Sequence, residues 1–239
     1  MKQILILILL VSGIQLGAQS NSELIKHFEA YTKQMRDQGD LQGIINGMTH
    51  LNVLSPSIPR ADTLAYLYMS EGKYMQALNT IGVERKVDDS DIALEVKAMS
   101  LKSVNQPKLA AEHFEEIFKR NPEPAIAYEL AEIYLQLKQL PEADKHIQYG
   151  LTNSKPDMMH AYYEQQTPYQ VPLKSAFMYL NALSVYNKDP KANIDAAVDI
   201  LDAALKASPN FNLIQISKSE LLRQKQALQA QAAQGNTGN

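Results

Sequence analysis

The chain has 239 residues, 45% of them apolar, with a formal net charge of −3 and no cysteine. That length can bury a sizeable core, and the near-neutral charge gives no basic field to attract nucleic acid. Without cysteine there can be no disulfide, thiolate zinc site or thiol nucleophile. Gly is scarce, and Ala, Leu, Glu, Gln and Lys outnumber β-branched runs, which favours helix.

The first stretch reads as a leader. Met1-Lys2-Gln3 is followed by an apolar run from Ile4 to Val11 and on to Ile14, then by the small residues Gly17 and Ala18 before Gln19. This is the layout of a secretory signal over residues 1–18, cut after Ala18. The run falls short of the ~20 apolar residues that span a bilayer, and no Cys follows it to carry a lipid. The expectation is an exported protein, periplasmic or secreted and not a lipoprotein, with no integral membrane segment once the signal is removed.

From there the chain repeats itself. Ala65, Ala98 and Ala131 lie 33 residues apart, as do Ala77, Ala110 and Ala143, and Ile81, Phe114 and Ile147. Tyr68, Leu101 and Tyr134 keep the same step, and so do Gly39 and Gly72. A fixed period of this length signals stacked supersecondary units. Within a unit, Ala61, Leu64, Ala65 and Tyr68 mark one buried helical face. Gly72 permits the positive φ that ends such a helix, and Ala77 and Ile81 line the next. Pro107 and Pro141 stand at the start of second helices, where the missing N–H costs nothing.

The stretch Ala127, Leu130, Ala131, Tyr134, Ala143, Ile147, Gly150 and Pro156 resembles the tetratricopeptide repeat in residue type and spacing. The ankyrin alternative lacks its Thr-Pro-Leu-His turn. The resemblance implies an all-α fold, a right-handed α-α superhelix of about five helix pairs with a C-terminal capping helix, over residues 22–228. The repeats fall at 25–57, 58–90, 91–123, 124–156 and 175–210, with an insertion at 157–174, a capping helix at 211–228 and a disordered tail at 229–239. The first repeat departs from the pattern, with Thr32 and Ile44 at small positions. Lys97 stands where an apolar residue belongs, and Asn105 and Lys138 replace the turn glycine. The insertion, rich in Tyr and Met, is expected to form a short helix and a proline-bounded loop.

No catalytic signature is present: no Gly-x-Ser-x-Gly, phosphate-binding glycine loop or His-Glu-x-x-His. Neither enzyme activity nor a metal or cofactor is expected. His113 and His146, one period apart, read as two solvated side chains at the same repeat position. More informative are Asp62, Tyr66 and Met69, about a third of a turn from the Leu64/Tyr68 face. In proteins this chain resembles, such positions face the concave groove. The resemblance thus implies a partner-binding set of Glu29, Asp62, Tyr66, Met69, Glu95, Met99, Lys102, Tyr128, Glu132, Leu135, Tyr179, Leu183 and Tyr186. Its early part carries the carboxylates Glu29, Asp62 and Glu95, and its late part is aromatic and aliphatic. The Lys/Asn clamp some family members use on a terminal carboxylate is absent, since the matching places hold Glu29/Lys33, Asp62/Tyr66 and Glu95/Met99.

These features together suggest a non-catalytic scaffold of the cell envelope. Its partner would be another protein or peptide, with apolar anchors and a basic end, and not nucleic acid; self-association is a further option. The competing expectation is an envelope enzyme or small-ligand receptor with a site near the 157–174 insertion.

Overall fold

The computed structural model describes residues 21–236, with side chains to residue 231. The expected leader, 1–18, lies outside the described residues. The chain divides into two compact units, one ending at Asn105 and the other beginning at Gln106.

The N-terminal unit holds α1 (Asn21–Gln38), α2 (Leu41–Leu54), α3 (Ile58–Ser70), α4 (Tyr74–Ile81) and α5 (Asp91–Ser103). Asp40 starts α2 by accepting a hydrogen bond from the Gly43 amide at 2.9 Å, and Ser90 starts α5 by accepting from the Ala93 amide at 3.0 Å. Each cap satisfies an amide that the helix cannot. Ala65, Ala77 and Ala98 are completely buried, so α3, α4 and α5 approach closely around Ile81, Ala93 and Val96. Thr32 is buried as well, and Gly47 makes room for it, because a Cβ there would lie 2.2 Å from Thr32 Oγ1.

The C-terminal unit holds α6 (Pro107–Arg120), α7 (Pro124–Gln136), α8 (Leu140–Asn153), strands β1 (Met159–Tyr162) and β2 (Tyr169–Pro172), then α9 (Leu173–Lys188), α10 (Ile194–Ala207) and α11 (Asn212–Asn236). Helices α7 to α11 pack in chain order around Ala131, Ala143, Ile147, Phe177, Leu201 and Phe211. Fully burying each of the larger of these side chains stabilises the fold by roughly 1.5–3 kcal/mol.

Two expectations are corrected here. The insertion is not a helix and loop but an antiparallel hairpin, pairing Met159 with Pro172, His160 with Val171, Ala161 with Gln170 and Tyr162 with Tyr169. Tyr162, Tyr169 and Val171 suit strand. The C-terminal helix does not fray at Leu228 but continues to Asn236, because Gln and Ala are good helix formers and no breaker precedes Gly235.

The turns inside the repeats follow one plan. The amide of Asp40 donates to Met35 O at 2.9 Å, that of Lys73 to Tyr68 O at 2.8 Å, and that of Gln139 to Tyr134 O at 2.9 Å. This is the six-to-one bond of a Schellman C-cap, which needs a left-handed residue just before the donor. Gly39 and Gly72 supply it with φ of 72° and 69°; Asn105 and Lys138 adopt φ of 58° at the corresponding positions. Lys138 therefore keeps the turn despite its Cβ, at a cost of about 1 kcal/mol. Lys138→Gly is expected to raise stability by about 1 kcal/mol, read as a higher urea midpoint with unchanged slope.

Lys97 is fully buried without breaking the repeat. Its ammonium donates to both oxygens of Asp89, at 2.6 and 2.7 Å, and to Glu84 O at 2.9 Å. The loop between α4 and α5 thus folds over the polar head, while the stem lies in the register an apolar residue would fill.

Candidate partner-binding surface

In the N-terminal unit α3 and α5 pack directly on each other. Tyr66 on α3 and Met99 on α5 occupy the same repeat position, and they remain 43% and 37% exposed. Ile58 and Ile92 are exposed on the same two helices. Met69 and Lys102 are half-buried, and Glu95 is open to solvent. The four apolar side chains Tyr66, Met99, Ile58 and Ile92 are left uncovered on two adjoining helices.

The expected row of three carboxylates is not there. Glu29 on α1 and Glu95 are exposed, but Asp62 is only 5% exposed. Asp62 turns inward because the Ser90 hydroxyl donates to its Oδ2 at 2.6 Å, which also fixes Ser90 as the cap of α5. Lys33 pairs with Asp37 on its own helix at 2.5 Å.

In the C-terminal unit the expected groove residues are occupied by the chain itself. Tyr128 is 1% exposed: its hydroxyl lies 2.8 Å from that of Tyr162 on β1, and the His160 ring sits 4.0 Å from its own. It is a core residue and not an accessible contact. Tyr162 also meets Tyr169 and Phe211, with ring centroids at 5.7 and 4.8 Å. Tyr179 packs on Phe211 and accepts a hydrogen bond from the Ser217 hydroxyl at 3.4 Å. The Tyr186 hydroxyl donates to Gln224 on α11. Leu135 and Leu183 are half-buried against the same core, and Glu132 is half-buried on α7. Burial pushes the phenols of Tyr128 and Tyr162 well above the ordinary tyrosine range and raises that of Tyr179. Tyr169, near the rim and donating to Glu164 at 2.5 Å, is pushed up to about 12, by burial first and then by that bond. These hydroxyls stay protonated and serve packing.

The histidines are corrected too: His113 and His146 are each 1% exposed, not solvated. His146 Nε2 lies 2.9 Å from Glu115 Oε1, which also accepts from the Tyr134 hydroxyl at 2.8 Å. A carboxylate can only accept, so Nε2 carries the proton and the ring is the neutral Nε2–H tautomer. Burial, outweighing Glu115, lowers the His146 pKa below its usual 6.5. The unfolded chain therefore takes up a proton that the folded chain resists. Stability should be full above pH 6.5 and fall as pH drops below it through the folded pKa. Urea midpoints between pH 7.5 and 5 check this, and His146→Gln should flatten that segment of the profile.

Among the described residues, no three His, Asp or Glu side chains are placed to hold a metal, and no helix is long and apolar enough to cross a membrane.

Antiparallel helix pairs ending in one recurrent turn define a helical-repeat protein. Residues 96–149 match the family model described as tetratricopeptide repeat. The fold is similar to that of a tetratricopeptide repeat protein from Parabacteroides merdae, at 15% identity and a TM-score of 0.61, covering 86% of this chain and 75% of that one. It is similar to YrrB, whose structure is described as a TPR protein with an unusual peptide-binding site, at 13% identity and a TM-score of 0.62, covering 87% and 97%. The MamA protein follows at 16% identity and a TM-score of 0.57, covering 79% and 93%. No curated protein sequence matches the chain.

Proposed function

We propose that this protein is a non-catalytic scaffold of the cell envelope, exported by residues 1–18, that holds a segment of another protein against α3 and α5. The observation that carries the reading is the uncovered apolar set Tyr66, Met99, Ile58 and Ile92 on one pair of packed helices. Aromatic and Met side chains are enriched at contact surfaces because they offer large, adaptable area. A preformed helical surface also loses little conformational entropy on binding. The peptide-binding site stated for YrrB, a protein of similar fold, is in keeping with this reading.

The test is capture from an envelope extract of the source cell by the wild type and by Tyr66→Ala combined with Met99→Ala. A loss of about thirtyfold in affinity for the captured partner is expected, since two anchors of this kind contribute about 1 kcal/mol each. Equal capture would refute the surface. Recovery of a chain beginning at Gln19 from the envelope fraction, by mass spectrometry, tests export separately.

A further inference from the structure

At one end of the α3–α5 surface is a cavity of about 150 Å³, enclosed by the starts of α3 and α5, the end of α4 and the loop that leads into α5. Ile58, Ala61, Ile81 and Ala93 give it apolar walls, and Asp62 and Asp88 give it carboxylates. Asp62 is the buried one, and among the described residues the Ser90 hydroxyl is its one hydrogen-bond partner, on Oδ2. Oδ1 receives no hydrogen bond. That oxygen is not sealed off from solvent, so it is open to a donor that enters the cavity. The neighbouring carboxylate, Asp89, is already neutralised by Lys97. Lys86 also lines the cavity, yet no ion pair joins it to Asp62.

A second feature surrounds the opening. Val87 is 93% exposed on the loop, and Ile58 and Ile92 are exposed on the flanking helices. Apolar residues held in water around a negatively charged recess match a ligand that is cationic at its tip and apolar beside it.

We propose that this cavity takes one basic side chain, lysine or arginine, presented by the partner protein between apolar neighbours. The inference rests on the scaffold reading above and names the chemistry its partner must carry. The alkyl stem lies along Ile58, Ala61, Ile81 and Ala93, as long cationic side chains do on apolar surface. The charged head donates to Asp62 Oδ1 on the floor and faces Asp88 at the mouth. The dimensions suit one such side chain and not a folded surface.

The experiment titrates the whole protein with acetyl-Leu-Arg-Leu-amide, acetyl-Leu-Lys-Leu-amide and the same peptide with norleucine at its centre. Amide NMR shifts of Ser90 and Ala93 provide the readout. At least one basic peptide is expected to shift both amides and to bind about tenfold or more tightly than the norleucine peptide, because a desolvated charge pair is lost. Asp62→Asn keeps an acceptor for Ser90 and should abolish that preference. Equal binding of basic and norleucine peptides overturns the proposal, as does a preference that survives Asp62→Asn. Should Asp62→Asn fail to fold by circular dichroism, Asp88→Asn takes its place; a drop of about threefold in the preference supports the pocket and an unchanged preference refutes it. Loss of capture in the Tyr66/Met99 double variant together with no basic preference would retain the scaffold and reject the pocket. Unchanged capture with a clear basic preference would do the reverse.

Discussion

Gly150→Ala is expected to destabilise the protein by about 2 kcal/mol, although alanine is the better helix former. The position lies inside α8, so the substitution gains roughly 1 kcal/mol of helix propensity. Against this, an added Cβ would stand 2.0 Å from Phe177 Cζ and 2.1 Å from Cε2. Phe177 is completely buried, with Tyr128 edge-on at 5.5 Å, so the ring has nowhere to retreat. Overpacking of this kind costs about 3 kcal/mol at the upper end of its usual range, which exceeds the propensity gain. Thermal unfolding should shift down by several degrees, and Phe177→Leu in the Gly150→Ala background should recover part of the loss. An equally stable Gly150→Ala protein would mean that α8 and α9 do not meet this closely.

Asp89→Ala is expected to cost about 3–4 kcal/mol, more than most surface-loop substitutions, because it strands a buried charge. Lys97 is fully enclosed, and without Asp89 its ammonium keeps only the Glu84 carbonyl at 2.9 Å. Breaking a buried pair from one side leaves the other ion unpaired, whereas replacing both partners by apolar groups is often neutral. Adding Lys97→Met to Asp89→Ala should therefore restore most of the stability, a sign of coupling that a double-mutant cycle in urea reads directly. If the double variant is as unstable as Asp89→Ala alone, the damage lies in the loop and not in the charge. The loop matters as well, since Asp89 Oδ2 also accepts the Lys86 amide at 2.8 Å, and the same loop walls the cavity beside Asp62.

The repeat was legible because helix spacing and small-residue positions are local properties of the chain. Ala65, Ala98 and Ala131 stood out in the sequence for the same reason that they are buried: a methyl group is all the space between paired helices admits. The site was less legible. Wheel position distinguishes the face of a helix but not what covers that face. Tyr66 and Tyr128 read alike as groove residues, yet Tyr128 lies under a hairpin whose strands begin some thirty residues later in the chain. Asp62 read as an exposed acid because its partner, Ser90, is 28 residues away. Lys97 was the exception that carried its own signal, since a lysine in an apolar register implies a carboxylate close by, although not which one. The Glu115, Tyr134 and His146 group joins three helices and had no comparable mark.

The hairpin also makes the chain amenable to engineering. Both of its strands are tied down, Leu173 N donating to Met158 O at 2.8 Å and Val171 lying fully in the core, while residues 163–168 between them stand in solvent. A loop tip anchored on both sides tolerates added residues without disturbing what holds it. Foreign epitopes, fluorophore tags or protease cleavage sequences could be grafted there, turning the C-terminal unit into a display platform while α3 and α5 stay as they are.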